Sequence, residues 1–355
     1  MKYVIKDNDE MKLIKGKDFN HIFRKSDGLS MTWGRTKKDD PEYSPVGPLI
    51  ADFEIVKGCR GIRDKNGVRK VCPFCYKSNT PNNIEYMSFD DFKKIVDKLP
   101  KSLGQIAFGV DAEATLNPDL FKIMKYCRKI GIIPNITIAD TDNETTEKLS
   151  KLCGAIAISY YPFQNKDICY DLVDKLTDKY EMKQVNIHCL VSNEMKESIY
   201  TLINDVKTDA RLKNLNAIVF LSLKQKGRGD AHNRMSDEEY KNLVDTLLES
   251  EINFGFDSCS AHRFLTAVKD HKNYNQFEQM SEPCESTRMS MYVNERGEFY
   301  PCSFTEGVGE WEKGINLLEV EDFLKEVWYN NNVIETREQI IKCDKCGKNC
   351  YMFEV

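Results

Sequence analysis

The stretch LIADFEIVKGCRGIRDKNGVRKVCPFCY, residues 49–76, decides how the rest of the chain is read. Its first part alternates apolar and polar residues from Ile50 to Val56, the period of a β-strand, and stops at Gly58-Cys59. A mostly hydrophilic run of twelve residues, 60–71, follows, and then Cys72-Pro73-Phe74-Cys75. A strand that delivers one cysteine, followed by a C-x2-C pair, brings three thiolates to one metal centre. A structural zinc ion takes four protein ligands in a closed shell, whereas an iron–sulfur cluster held by three thiolates keeps one iron open to a small molecule.

Outward from this stretch the pattern becomes regular. Strand patterns at 50–56, 104–109, 134–139, 155–159, 184–190 and 216–223 alternate with helical ones at 89–100, 118–130, 142–153, 165–179, 194–207 and 236–250. Ser88 with Asp91, and Ser236 with Glu239, have the spacing of helix N-terminal capping pairs. Such alternation predicts βα units on a parallel sheet, and six of them suit an α/β fold with a partial (βα)6 TIM-like barrel. One strand face reads Ile106/Phe108, Ile136/Ile138, Ile156/Ile158, Val185/Ile187/Cys189 and Val219/Leu221, and is expected to pack under the helices. The other reads Asp52/Glu54, Gln105, Asn135/Thr137, Ser159, Asn186/His188 and Ser222/Lys224, and is expected to face a polar, wet lumen. Closed barrels fill that space with branched apolar side chains instead.

The flanks are less regular. Residues 1–47 predict an irregular or small β extension over one end of the barrel. The core is expected over 48–255, with 253–257 as a short seventh strand. A small C-terminal α+β, cysteine-rich domain is expected over 256–355. It holds a helical stretch near 260–269, a hairpin at 288–294 and 298–301 turning at Glu295-Arg296-Gly297, a helix at 319–329 and a cysteine-rich tail.

A net charge of −5 and 30% charged residues give no global attraction to nucleic acid or anionic membrane. The first residues lack an apolar core of signal-peptide length, and no later run approaches a membrane span, so a cytoplasmic, membrane-free protein is expected. Thirteen cysteines without a secretion signal then point to metal or redox use rather than a disulfide framework. They cluster at 59, 72 and 75 and again at 259, 284, 302, 343, 346 and 350.

Strand-Gly-Cys followed by Cys-x-Phe74-Cys-Tyr resembles the radical S-adenosylmethionine (SAM) enzymes, which usually space these cysteines C-x3-C-x2-C; here the first gap is twelve residues. The resemblance covers roughly 48–225 and continues into the tail. It implies a 4Fe–4S cluster on Cys59, Cys72 and Cys75, whose open iron is chelated by the SAM amino and carboxylate groups. Reductive cleavage then gives a 5′-deoxyadenosyl radical that abstracts a substrate hydrogen. The family's Gly-Gly-Glu segment, which contacts the SAM amino group, aligns with Phe108-Gly109-Val110-Asp111-Ala112-Glu113, followed by Ala114-Thr115-Leu116-Asn117-Pro118. The double glycine is missing, which leaves Asp111 and Glu113 as competing SAM contacts. By the same resemblance Phe74, Ser159, Asn186 and His188 take SAM-binding positions, and Lys224–Gly229 matches the family's Gly-Arg turn.

The tail, Cys284-x12-Gly297-x4-Cys302 with Cys343-x2-Cys346-x3-Cys350, resembles the twitch/SPASM auxiliary-cluster domains of the same superfamily. It is shortened, which implies one auxiliary 4Fe–4S cluster on Cys284, Cys302, Cys350 and one of Cys259, Cys343 or Cys346. Structural zinc is the alternative there. Cys259 is read first as a ligand, then as a catalytic hydrogen-atom donor, then as a plain buried thiol. Cys127, Cys153, Cys169 and Cys189 fall on apolar faces and are read as core. The charge run at 60–71 is read as a solvated loop or, if folded over the SAM site, as a contact for an anionic substrate or an electron-donor protein.

The expected function is therefore hydrogen abstraction from a substrate, first a peptide, with a nucleotide or sugar as the runner-up. A flavodoxin or ferredoxin is expected as the electron source. A zinc-stapled binding module without catalysis is the reading of another class.

Overall fold

Seven parallel strands form the frame that the alternation predicts. The computed structural model describes residues 3–352 except 37–38, 83, 111, 348–349 and 351. The chain opens with an antiparallel meander of β1 (Val4–Asp7), β2 (Met11–Lys15), β3 (Asn20–Arg24) and β4 (Ser30–Trp33). This sheet is more regular than the sequence suggested. It covers the N-terminal ends of the barrel strands, where Phe23 packs against Gly104 and Lys12 Nζ donates to the Lys101 carbonyl at 2.8 Å.

The barrel strands are β5 (Ile50–Phe53), β10 (Gln105–Phe108), β11 (Ile133–Ile138), β12 (Ile156–Ser159), β13 (Val185–Val191), β14 (Ala217–Ser222) and β15 (Phe254–Phe256), adjacent in that order and all parallel. Between β5 and β10 lie two short pairs, β6 (Val56–Lys57) with β9 (Glu85–Tyr86) and β7 (Ile62–Arg63) with β8 (Arg69–Lys70). The helices that return the chain are α1 (Phe89–Val96), α2 (Leu120–Lys129), α3 (Asn143–Leu152), α4 (Pro162–Asp174), α5 (Lys196–Thr208) and α6 (Asp237–Glu249). Ser88 caps α1 by accepting from the Asp91 N–H, and Ser236 with Glu239 forms a reciprocal capping box on α6.

Ala51, Phe53, Ile106, Phe108, Ile136, Ile156, Ile158, Val185 and Ile187 are at most 2% exposed beneath the helices. Phe53 and Phe108 meet Phe92 of α1 at ring distances of 5.3 and 6.0 Å. Burying each such side chain stabilises the fold by roughly 1.5–3 kcal/mol. Cys127, Cys153, Cys169 and Cys189 are buried among these residues, as their positions implied.

One strand is turned over relative to expectation. In β14 the residues packed under the helices are Ile218 and Phe220, both fully buried, while Val219 and Leu221 pair with His188 and Leu190 of β13 and share their face. Because side chains alternate, a shift of one position exchanges the two faces of the strand.

After β15 come α7 (Ala261–Ala267) and α8 (Tyr274–Met280), then β16 (Ser290–Val293), β17 (Glu298–Tyr300) and β18 (Ile315–Asn316). β16 runs parallel to β5, so the tail hairpin continues the barrel sheet in ten strands. The expected Gly297 turn joins β16 to β17 with φ +79°, a conformation that favours glycine. The helix expected at 319–329 is a single wide turn, Leu324–Trp328, and the long tail helix is α9 (Asn331–Lys345). Fully buried Trp328 donates its indole N–H to the Ser44 carbonyl at 2.8 Å, tying the tail to the segment before β5.

His21 of β3 is 2% exposed, with Nδ1 3.0 Å from Thr32 Oγ1. Burial, helped by the Lys12 ammonium, pushes its pKa down to about 4 from 6.5. Below 6.5 the unfolded chain binds a proton that the folded chain refuses until about 4, so stability falls with pH across that window. The loss is of order 3 kcal/mol. Urea unfolding of wild type and His21→Gln at several pH values checks this; the variant is expected to lack that part of the acid sensitivity.

Candidate functional site

The three front cysteines meet at the C-terminal ends of the strands, where parallel barrels build their sites. Cys59 follows β6, with its N–H donating to the Thr80 carbonyl at 3.0 Å. Cys72 and Cys75 sit on a loop clamped by Arg228, from the expected Gly-Arg turn. The Arg228 N–H donates to Cys75 O at 3.0 Å, its Nε to Cys72 O at 2.8 Å and its Nη2 to Asn79 O at 2.9 Å. Arg228 thus holds the cysteine loop through three main-chain carbonyls.

Cys59, Cys72 and Cys75 line one cavity of about 210 Å³, together with Phe74, Glu113, Thr137, Asp140, Ser159, Tyr161, His188, Leu190 and Leu221. Polar and apolar groups share the wall, so the lumen is less uniformly polar than the strand pattern suggested. Asn186 is not part of it; one pleat lower, its Oδ1 accepts from Asn216 Nδ2 at 2.8 Å. Asp111 lies outside the described residues. Gly109, with φ +68°, lets the chain turn beneath the cavity; a Cβ there would stand 2.5 Å from the Thr137 carbonyl oxygen.

Burial pushes the Cys59 thiol up to about 11 and the Cys72 thiol up to about 12. Both groups are therefore thiols at neutral pH until a metal draws off the proton. The Gly61 N–H reaches Cys59 Sγ at 3.3 Å, a bond that favours its thiolate, and the Asn79 N–H reaches Cys75 Sγ at 3.4 Å. Half-buried Tyr161, its hydroxyl raised well above its usual pKa by burial, lies beside the Cys72 thiol and the Ser159 hydroxyl. Phe74 packs against Tyr161, Phe163 and His232 at 5.5–5.7 Å. Burial holds His188 down at about 4, so its imidazole is neutral.

Residues 60–71 fold into the β7–β8 hairpin over this cavity. Arg60 chelates Glu113, with Nε 3.0 Å from Oε1 and its N–H 2.9 Å from Oε2. Arg63 Nε lies 2.7 Å from Oδ2 of Asp140, whose side chain is only 2% exposed, and Arg69 adds a contact at 3.4 Å. The arginines are thus engaged with cavity-lining acids, while Lys65 and Lys70 are exposed, Lys70 with its Nζ 3.0 Å from Asp64 Oδ2. Asp140 and Tyr161 were not singled out from sequence. They lie just past their strands and belong to no motif.

Behind the cavity lies the second group. Cys259, Cys302 and Cys350 all lie close enough to Cys284 to disfavour its ionisation, in addition to burial, and Cys302 does the same to Cys259. Cys346 is exposed, and Cys343 lies in the last turn of α9. The two groups are joined by packing: Tyr76 Oη reaches Ser303 Oγ at 2.9 Å, and its ring lies 4.3 Å from that of Phe304.

Among the described residues, no three His, Cys, Asp or Glu side chains gather as the ligands of one metal ion do. A 4Fe–4S cluster distributes its thiolates over separate irons, and three or four spaced thiols fit it.

No protein-family model matches the chain, and no curated protein matches it. Solved structures do. The chain is similar to Streptococcus suis SuiB bound to precursor peptide SuiA, with a TM-score of 0.68 and 14% identity over 94% of this chain and 90% of that one. It is similar to SuiB bound to S-adenosylmethionine, with a TM-score of 0.63 and 17% identity over 83% and 68%. At these identities the likeness speaks for architecture, and in architecture, a partial parallel barrel with its tail on the same sheet, this chain has the fold of SuiB.

Proposed function

We propose that the chain is a radical SAM enzyme that modifies a peptide. The observation that carries this reading is the set of three thiols, with no fourth among the described residues, on one cavity at the C-terminal ends of a parallel barrel. The likeness to a fold that holds S-adenosylmethionine and a precursor peptide supports it. In this reading 48–255 is the SAM-binding core and 256–355 carries the second cluster.

Cys59, Cys72 and Cys75 hold the site cluster, which together with SAM supplies a 5′-deoxyadenosyl radical when both are bound. Glu113 receives the SAM amino group, Ser159 and His188 bind its polar groups, and Phe74 with its aromatic neighbours covers an apolar face. Cys259, Cys284, Cys302 and Cys350 hold one auxiliary cluster, which favours Cys259 as a ligand over Cys343 and Cys346 and over a hydrogen-donor role. A reduced flavodoxin or ferredoxin supplies the electron. No described helix is long and apolar enough to cross a membrane, in keeping with the cytoplasmic setting that such reductants need.

The direct test is the electron paramagnetic resonance spectrum of the reduced, reconstituted protein with and without SAM. The reading expects a cluster signal that changes when SAM is added; a signal indifferent to SAM contradicts it. Glu113→Gln removes the charge that would meet the SAM amino group. A hydrogen bond to a charged group contributes about 1.5–3 kcal/mol, so SAM affinity is expected to fall roughly tenfold or more. Equilibrium binding of SAM to the reconstituted variant checks this, and unchanged affinity removes Glu113 from the site.

A further inference from the structure

The β7–β8 hairpin has two faces with different occupations. Its inner side closes the cavity: Gly61, Ile62 and Val71 line it, and Arg60, Arg63 and Arg69 reach in to Glu113 and Asp140. Its outer side is exposed at Lys65, Asn66, Val68 and Lys70, with the Val68 side chain at the tip and Lys70 Nζ 3.0 Å from Asp64 Oδ2.

Charge on the hairpin runs against that of the chain. Residues 60–71 carry five cations and one anion, net +4, on a chain of net −5. Glu113 and Asp140 offset two of those charges, which leaves a positive spot on an acidic protein. Such a spot attracts an acidic partner and raises its association rate.

The hairpin's place in the chain says which acidic partner. Cys59 precedes it and Cys72 follows it, so both of its ends are fixed at candidate ligands of the site cluster. A protein seated on the outer face would stand beside the chain segments that carry those thiols. A peptide substrate gains nothing from that place, because its reacting atom must enter the cavity that the hairpin closes. An electron carrier needs proximity and no entry.

We propose that the outer face of the β7–β8 hairpin is the docking surface for an acidic one-electron carrier protein, which reduces the site cluster through the hairpin. One electron leaves the carrier and one reaches the cluster; no bond forms or breaks. The proposal rests on the radical SAM reading and assigns a role to the insertion that separates Cys59 from Cys72.

The experiment compares reconstituted wild type with Lys65→Glu/Lys70→Glu, two exposed positions that do not line the cavity. Stopped-flow absorbance follows cluster bleaching by reduced flavodoxin, an acidic carrier, and separately by dithionite. The proposal expects reduction by flavodoxin to slow at least tenfold in the variant at low ionic strength. That difference should shrink as salt screens it, and the dithionite rate should not change. Equal flavodoxin rates in the two proteins overturn the proposal, as does an equal loss with dithionite, which would mean damage to the cavity. A variant that keeps its flavodoxin rate and loses affinity for an acidic peptide also overturns it, giving the face to substrate. A wild type that assembles no reducible cluster overturns both readings, whereas failure confined to the variant comparison overturns the hairpin alone.

Discussion

Alanine at Cys59, Cys72 and Cys75 together abolishes reductive SAM cleavage, and the iron bound by the tail remains. The front thiols share one cavity and the tail thiols lie behind it, linked through Tyr76 and Phe304 rather than through a shared ligand. With about four irons in each cluster, the triple variant is expected to lose roughly half of the iron and sulfide and all of the 5′-deoxyadenosine. The fold should tolerate the change. The loop that carries Cys72 and Cys75 is held by main-chain bonds from Arg228, and Cys59 by its bond to Thr80. Iron and sulfide counts with product analysis decide it. Cleavage that survives in the triple variant would place the site elsewhere.

Lys224→Met is expected to destabilise the protein by about 3–5 kcal/mol, the cost of leaving a buried charge without its partner. The Lys224 side chain is 2% exposed, and its Nζ stands 3.0 Å from Asp257 Oδ2. Asp257 also accepts from the Ser222 N–H and Oγ at 3.1 Å and from Ser260 Oγ at 2.6 Å. Burial alone would push the Asp257 carboxyl up, but the Lys224 ammonium and the Ser260 hydroxyl more than offset it and hold the carboxyl below its usual range. The same ammonium lies beside Cys259 and over the Phe304 ring at 4.8 Å, so the pair ties the ends of β14 and β15 to the tail. Lys224→Met/Asp257→Leu should recover most of the loss, since replacing both members of a buried pair by apolar groups is often neutral. Urea unfolding of both single variants and the double gives the coupling directly. A single-variant loss below about 1 kcal/mol would show that water reaches the pair.

Much of this was legible because burial imposes a period. On β11 the apolar face alternates with polar residues, and α1 and α6 carry capping pairs at the right offsets. In β14 the run Ile218-Val219-Phe220-Leu221 is apolar at every position, so period two is silent there and only pairing with β13 sets the faces. Helix α9 could have been found: Asn330 caps it by accepting from the Asn332 N–H, and Val333, Thr336, Arg337 and Ile340 bury one stripe. From sequence a helix is expected at 319–329 instead, and 331–345 falls within the cysteine-rich tail.

The candidate site divides in the same way. Cysteine spacing names the front ligands because a loop brings neighbours in sequence together in space. The grouping of Cys259 with Cys284, Cys302 and Cys350 depends on how the end of β15 meets the tail, which no local pattern encodes. Asp140 is legible only with the hairpin in view, because its partners Arg63 and Arg69 are some seventy residues away in sequence. Asn186 has the right alternation and the wrong height, since period two fixes a face and not a depth along the strand.

The central claim is that three thiols on this cavity hold a cluster whose open iron takes SAM. Its most direct test is 5′-deoxyadenosine formation by the anaerobically reconstituted wild type, with SAM and dithionite and no other protein. The account predicts dithionite-dependent 5′-deoxyadenosine and methionine in equal amounts if SAM is consumed, formed by brown protein that contains iron and sulfide. Colourless protein that binds zinc at both cysteine groups and leaves SAM intact would contradict it.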